Sequence, residues 1–369
     1  MNFTIDRNSF LKPLGHIYSV VERRNTIPIL SNVLIETNSS KISLTATDMD
    51  MDIVEVIGCI VHQQGKATLS AHTLYDIVRK IPDGGEIKIE LLDLNVEVSA
   101  GKSKFILPTL PVDDYPVMTE IEKGSEFFLE SADLISLIDN TKFAISSEET
   151  RYYLNGIFLH VPEDNKQKLR AVATDGHRLA QAEVPLPEGA ESIPGIIVPR
   201  KAVGEIRKLA DGIEGKVKII VSNTKAKFIF PNSILTTKLI DGSFPDYQRV
   251  IPKGNLNKLV VSNLEFSKAV DRVSTVSMEK SRAIKLSLNK NLLSLNVNTH
   301  DLGNAFEELE IQYDDQNLEI GFNSKYLLDI SSQIQGKDIE ILLSDSASPA
   351  LITDPDQDGV IFVLMPMRV

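Results

Sequence analysis

One short run carries the residue types of an active site: Thr174-Asp-Gly-His-Arg178. Asp175 and His177 are spaced to serve as a base and the group that orients it, with Arg178 as a clamp for an anion. No nucleophile marked by an elbow motif accompanies them. Asp-Gly is also a strong turn signal between strands, so a structural turn or a peptide-binding loop is the favoured reading. Asp48, Asp50 and Asp52 alternate along an apparent strand and are expected to face solvent, not to gather a cation. The chain has no GxGxxG, no Walker loop, no HExxH, no calcium loop and no spaced Cys/His set. Cys59, the only cysteine, sits in an apolar strand-like run and reads as a buried thiol. Neither a cofactor nor a metal is expected.

The elements that hold this run repeat about every 125 residues. Apolar helical segments with basic residues begin near Phe10, Leu134 and Phe266, and second ones near His72, Arg200 and Ser324. After each second segment come a turn and a strand: Ile87-Lys-Ile-Glu-Leu91, Val217-Lys-Ile-Ile-Val221 and Ile339-Glu-Ile-Leu-Leu343. Leu30-Ser-Asn-Val-Leu-Ile35 answers Leu154-Asn-Gly-Ile-Phe-Leu159, and Leu44-Thr-Ala-Thr-Asp48 answers Val172-Ala-Thr-Asp175. With 369 residues, three domains fit both the repeat and the size prior. Turn-forming, charged connectors set the expected boundaries at 1–124, 125–254 and 255–369.

Strands outnumber helices, and their apolar residues alternate, as in Lys41-Ile-Ser-Leu-Thr-Ala46. That period favours antiparallel sheets covered on one face by two helices, an α+β class. Ser131 and Asp133 offer N-caps ahead of Leu134, and Pro199 stands close to the first turn of the helix containing Val203 and Ile206. The closing Ile361-Phe-Val-Leu-Met-Pro-Met-Arg368 is apolar where most chains fray, so it is expected to pack, with Ile361, Val363 and Met365 as one buried face. Alternatively its methionines line an adaptable groove.

The net charge of −12 argues against binding nucleic acid by bulk attraction. Lys+Arg against Asp+Glu is 12 to 17, 17 to 17 and 10 to 17 in the three thirds. Basic residues nevertheless recur on the helices, among them Arg23, Arg24, Arg200, Lys201, Arg207, Lys208, Lys268, Arg272 and Lys280. Helices turned toward one centre would give a positive surface inside an acidic shell. No apolar run reaches the length of a membrane span, and the first residues lack a signal-peptide core, so a cytoplasmic protein without membrane attachment is expected.

Several runs together resemble the bacterial DNA polymerase III β subunit, the replicative sliding clamps, over the whole chain. They are Thr26-Ile-Pro-Ile-Leu30, Arg151-Tyr-Tyr-Leu-Asn-Gly156, Ala173-Thr-Asp-Gly-His-Arg-Leu179, Val198-Pro-Arg-Lys201, Phe244-Pro-Asp-Tyr247, Ile320-Gly-Phe322 and Met365-Pro-Met-Arg368. The resemblance implies a DNA-clamp fold of three repeated domains, with two subunits joined head to tail into a ring whose helices line the hole. It implies a processivity factor without catalysis that slides on double-stranded DNA and is nucleoid-associated during replication. A topological hold needs only weak, sequence-neutral phosphate contacts. By position these fall to Arg24, Tyr152 and Tyr153, with Arg200 and Lys201 assisting; packing remains an equal reading for the tyrosines.

The family's partner site is an apolar groove between the second and third domains. It corresponds here to Leu154, Thr174, Gly176, His177, Arg178, Leu179, Pro245, Arg249, Val250, Ala347, Met365, Pro366, Met367 and Arg368. Peptides of the DNA polymerase III alpha subunit, the clamp loader delta subunit and other polymerases and repair proteins would insert leucine and aromatic anchors there, with Arg178, Arg249 and His177 at the rim. Ala347 stands where a valine is usual, with Pro349 close by, which implies a reshaped groove. The homodimer interface would set Lys102, Lys104, Phe105 and Leu107 against Thr275, Val276, Asp301, Glu307 and Glu308. Thr275 and Val276 replace bulkier aliphatics and the acidic cluster is thinned, so a looser ring is expected. A repeated protein-binding scaffold that does not encircle DNA, and a hydrolase using Asp175 and His177, are the alternatives.

Overall fold

The structure is a computed structural model and describes residues 1–23, 26–121, 123–278, 282–299 and 301–368. Arg24 and Lys280 lie outside the described residues. Six α-helices occur among them: α1 (Arg7–Val20), α2 (Ala71–Lys80), α3 (Ser131–Asp139), α4 (Arg200–Ala210), α5 (Asn263–Ser274) and α6 (Ser324–Ser331). Each of the three sequence repeats contributes two helices and a set of antiparallel strands.

The helices start where local chemistry satisfies their first N–H groups. Asp6 Oδ1 accepts from the Ser9 N–H at 2.9 Å, and Asn323 Oδ1 from the Lys325 N–H at 3.0 Å. α3 departs from the sequence expectation: Ser131 is its first helical residue, and its buried hydroxyl donates to the Ala210 carbonyl at 3.2 Å instead of capping. An orphan carbonyl at the end of α4 is a stronger claim on that hydroxyl than its own helix.

The chain divides into two compact units that cut across the repeats, the first comprising Met1–Ile135, Pro187–Pro194 and Lys201–Leu239 and the second Ser136–Leu186, Gly195–Arg200 and Ile240–Val369. The first unit has a five-stranded sheet, in order Ile60–Gln63, Asn2–Asp6, Glu86–Leu92, Asn95–Ala100, Ser103–Pro108. Its eight-stranded sheet joins two repeats, because Ser233–Lys238 pairs antiparallel with Met51–Gly58 in the register Leu235↔Ile53. Helix α1 buries Phe10, Leu14, Ile17 and Val20.

The second unit repeats this plan. Its eight-stranded sheet runs Ile196–Pro199, Gly156–His160, Lys168–Thr174, Arg178–Pro185, Val360–Leu364, Ala350–Thr353, Asp338–Leu343, Asn257–Ser262. The joint is Arg178–Pro185 against Val360–Leu364, with Leu179 opposite Val363. A four-stranded sheet, Gly303–Glu310, Leu292–Thr299, Ala283–Asn289, Leu318–Asn323, completes it. Strand burial alternates as the period-two pattern requires, Ile284, Leu286 and Leu288 facing inward. Pairing strands of successive repeats satisfies edges that each repeat would otherwise leave open, which is why compactness does not follow the sequence repeat.

Asp48, Asp50 and Asp52 do not alternate along one strand. Asp48 heads a tight turn, its Oδ1 accepting from the Asp50 and Met51 N–H groups at 3.0 and 2.8 Å, with Met49 at φ +76°. Asp52 is half-buried; desolvation raises its pKa although it accepts from the Met118 N–H at 3.0 Å. Cys59 is half-buried instead of buried, with its thiol pKa pushed up by desolvation. No described helix is long and apolar enough to cross a membrane.

Candidate functional site

The Thr174–Arg178 run joins the strands Lys168–Thr174 and Arg178–Pro185 as a three-residue turn. Asp175 Oδ1 accepts from the His177 and Arg178 N–H groups at 2.9 and 3.0 Å, and Oδ2 from Arg178 Nε at 3.1 Å. The Thr174 hydroxyl donates to the Arg178 carbonyl at 2.6 Å and accepts from the Gly176 N–H at 3.1 Å. Asp175 is thus taken up by the turn itself. The His177 ring lies against Tyr326, centroids 6.4 Å apart, so the carboxylate and imidazole form no base–orienter pair. Gly176 has φ +88°, and a Cβ there would stand 2.7 Å from Arg151 Nη1.

Arg178 corrects the placement at the rim. It is 8% exposed. Its Nη1 donates to Asp329 Oδ2 at 2.5 Å and Nη2 to the Phe143 carbonyl at 2.6 Å, while the guanidinium lies 4.3 Å from the Tyr326 ring centroid. The side chain is a strut beneath the turn.

Beside this strut opens an apolar cavity of about 160 Å³. Buried Leu154, Leu179, Tyr247 and Val363 line it inside, and Pro245, Val250 and Met365 stand at its mouth. Thr174, Gly176, Arg178 and Asp246 complete the lining. Leu179 and Val363 are cross-strand partners, which fixes the floor to the sheet. Met365 is 39% exposed, so it does not share the buried face expected of Val363; Ile361 is only half-buried. The Met365 N–H donates to the His177 carbonyl at 2.9 Å and the Met367 N–H to the Gly321 carbonyl at 2.8 Å. The tail is thereby strung between the turn and the strand Leu318–Asn323.

Along that tail a second, more polar opening of about 770 Å³ is lined by Ala347, Pro366, Met367 and Arg368 together with Lys285, Glu319, Ile320, Gly321 and Ser346. The fourteen residues named for one groove therefore divide between two openings, with two outside both. His177 rests on Tyr326, and Arg249 is 84% exposed by its side chain and ion-paired to Asp246 at 2.7 Å. The cavity also takes in Tyr247, Asp246 and Val363, of which the sequence reading places Val363 on the buried face of the last strand and none at the groove. Tyr247 closes the Phe244-Pro-Asp-Tyr247 run, which was the available signal.

Of the residues expected to meet DNA, Tyr152 is 54% exposed and Tyr153 half-buried, their rings edge-to-face at 5.8 Å. Arg200 Nη2 donates to the Ile145 carbonyl at 2.6 Å. Lys201 Nζ donates to the Val20 carbonyl at 3.0 Å and pairs with Asp48. Arg24 is outside the described residues.

Five of the nine residues expected at a subunit interface, Lys104, Phe105, Leu107, Glu307 and Glu308, lie on edge strands, and Lys102, Thr275, Val276 and Asp301 lie in turns. In the first unit Ser103–Pro108 is an edge carrying Lys104, Phe105 and Leu107, and Lys104 pairs with Glu97 at 2.7 Å. Lys102 stands in the exposed turn before it. In the second unit Gly303–Glu310 is an edge; Glu307 pairs with Arg272, the Nε–Oε2 distance being 3.0 Å, and that hydrogen bond holds its carboxyl below the usual range. Glu308 accepts from Ser294 Oγ at 3.5 Å, and Asp301 and Thr275 are exposed. The half-buried Val276 gives its carbonyl to Thr299 Oγ1 at 3.1 Å. Phe306, 60% exposed on the same edge, was not anticipated. Among the described residues no group of three or more His, Cys, Asp or Glu could hold a metal ion.

Fold and cavity define a repeat protein of antiparallel sheets shared between successive repeats, with an apolar pocket at one of the joints. Family models for the DNA polymerase III beta subunit match end to end: the N-terminal domain over residues 1–119, the central domain over 128–246 and the C-terminal domain over 248–368. The β sliding clamp of Caulobacter vibrioides is 50% identical over 372 residues, and that of Escherichia coli K12 35% over 373, each alignment covering 100% of both chains. A crystal structure of the Bartonella birtlesii sliding clamp bound to griselimycin superposes with a TM-score of 0.97 at 49% identity, covering 100% of both. The chain belongs to the bacterial DNA polymerase III β subunit family, the β sliding clamps. Its role is that of a processivity factor, not of an enzyme.

Proposed function

We propose that two copies close head to tail into a ring around duplex DNA, slide without sequence preference, and tether replication proteins by their peptides. The observation that carries this reading is the open apolar cavity at Leu154, Leu179, Tyr247 and Val363, with Met365 at its mouth. Its size suits one leucine or aromatic side chain, and buried anchors of that kind supply most of the energy of a small interface. The opening along the tail receives the residues that flank the anchor. The partners are the DNA polymerase III alpha subunit, the clamp loader delta subunit, and other polymerases and repair proteins bearing such peptides.

Closure is supported by two edge strands, Ser103–Pro108 and Gly303–Glu310, each with an exposed aromatic. Joining them between copies continues one sheet into the next and covers both edges. Two such heterologous contacts close after two subunits. Three domains per chain, 1–124, 125–254 and 255–369, then give six around the ring. Tyr152, Tyr153, Arg200 and Lys201 meet the duplex, Arg24 being the further DNA contact assigned by resemblance and outside the described residues, and the ring works in the cytoplasm at the nucleoid.

Primer extension on a long primed circle, with a polymerase III core and clamp loader, tests the reading. Product length should rise sharply with the protein present, and Val250→Asp at the cavity mouth should abolish the gain. Unchanged product length with an active loader would refute the tethering role.

A further inference from the structure

The outer wall of the cavity comes from the segment between strands Ser233–Lys238 and Asn257–Ser262, where the chain forms a single 3-10 turn, Tyr247–Arg249. Nothing in so irregular a segment fixes Pro245 and Val250 in place by itself. The Tyr247 side chain reaches the sheet. Arg170 Nη1 donates to its hydroxyl oxygen at 2.8 Å, and the hydroxyl lies 3.0 Å from His160 Nε2. Arg170, on the strand Lys168–Thr174, is buried and held from its other side by Glu183 on the neighbouring strand and by Asp164 at 3.0 Å. Gln248, next to Tyr247, donates to the other oxygen of Asp164 at 3.0 Å. The His160 ring stacks on Phe158 at 4.3 Å, and Phe158 on Phe244 at 4.9 Å, so the same cluster grips the segment at its start.

A buried arginine with two carboxylates is a weak source of stability, because desolvation offsets the attraction. Its geometric value is high. The guanidinium fork is rigid and carries no acceptor, so the Tyr247 oxygen must accept from it, and the phenol proton is directed to His160. Burial pushes the His160 pKa down to about 4 and raises that of Tyr247, which keeps the imidazole neutral and the phenol protonated at neutral pH. The imidazole can then accept. One hydroxyl thus fixes both the position and the rotation of the wall.

We propose that Arg170 and His160 are positioning residues for the partner pocket, pre-forming its outer wall through the Tyr247 hydroxyl. This rests on the pocket being the peptide site. Tyr247→Phe keeps the ring that lines the cavity and removes only the hydroxyl; His160→Phe keeps the stack on Phe158 and removes the acceptor. A fluorescein-labelled pentapeptide bearing a leucine and a terminal phenylalanine, followed by anisotropy and stopped flow with the full chain, reads the effect. Each variant should bind roughly tenfold more weakly, as for the loss of one buried hydrogen bond to a charged or neighbouring group. The double variant should bind no more weakly than either single one. The loss should fall in the association rate, since the wall is then formed only part of the time.

Unchanged affinity in Tyr247→Phe, losses that multiply in the double variant, or a loss confined to the dissociation rate would each overturn the proposal. Should Tyr247→Phe not melt cooperatively, His160→Phe alone carries the comparison. Val250→Asp separates the two readings. If it leaves the peptide bound, the pocket assignment itself fails; if it releases the peptide while the hydroxyl variants bind normally, only the positioning role fails.

Discussion

Arg178 Nη1 lies 2.5 Å from Asp329 Oδ2, so the turn at the cavity is bolted to helix α6 by a charged pair with one buried partner. Replacing Asp329 by Asn keeps the shape and removes the charge. Because Arg178 retains Asp175 and the Phe143 carbonyl, the cost should be about 1–3 kcal/mol, read as a lower denaturation midpoint. Peptide affinity should fall with it, since the Met365 N–H is held by the His177 carbonyl of the same turn.

Gly176 should accept a side chain only at a cost. Alanine at φ +88° is strained by about 1–2 kcal/mol, and its Cβ meets the Arg151 guanidinium. Gly176→Ala should therefore lose stability by about that amount and bind peptide more weakly. Calorimetry and titration on one preparation check both.

Subunit contact should depend little on salt. Lys104 is already paired with Glu97, and Glu307 with Arg272, each inside its own chain, while the exposed apolar side chains on the two edges include Phe105, Ile106 and Phe306. Phe306→Ala should weaken dimerisation about tenfold through lost apolar burial, whereas raising the ionic strength should change it by less than about threefold. Sedimentation equilibrium at two salt concentrations reads both effects.

Acid should weaken the fold through His160. Its folded-state pKa of about 4 lies below the ordinary value of about 6.5. Between those pH values the unfolded chain binds the extra proton, so stability declines as pH falls from about 6.5 to 4 and His160 takes no further toll below that. The loss is at most about 2 kcal/mol once partial solvent screening is allowed for. His160→Phe should flatten the slope in this window, measured as the difference between urea midpoints of the two proteins.

Much of the architecture was legible because local rules and the global fold agree. Alternation in Lys41–Thr47, the helical spacing of Leu134, Ile135, Leu137 and Ile138, and the Asp-Gly turn at 175–176 each identify their element from a few residues. The pocket was less legible. Arg178 reads as a surface cation, yet its partners Asp329 and Phe143 come from distant parts of the chain, and only tertiary contact shows that the charge can be buried. Ser131 has the type of a cap, but the orphan carbonyl that claims it is Ala210, 79 residues away. Phe306 sits in an alternating strand where an aromatic is ordinary, and its exposure follows from its strand being the last in a sheet. The sharing of each eight-stranded sheet by two repeats leaves no local trace, because the pairing of Leu235 with Ile53 needs no residue type that an isolated domain would lack.

Ring closure on DNA is the central claim, and retention on a nicked circular duplex tests it most directly. The protein is loaded by a cognate or related clamp loader with ATP, and its retention is compared before and after the circle is cut to linear form. The account predicts that it stays on the circle and runs off the cut ends. Equal retention on both forms would mean ordinary affinity, and absence from both, with the loader proven active on another clamp, would mean a protein-binding scaffold; either result contradicts encirclement.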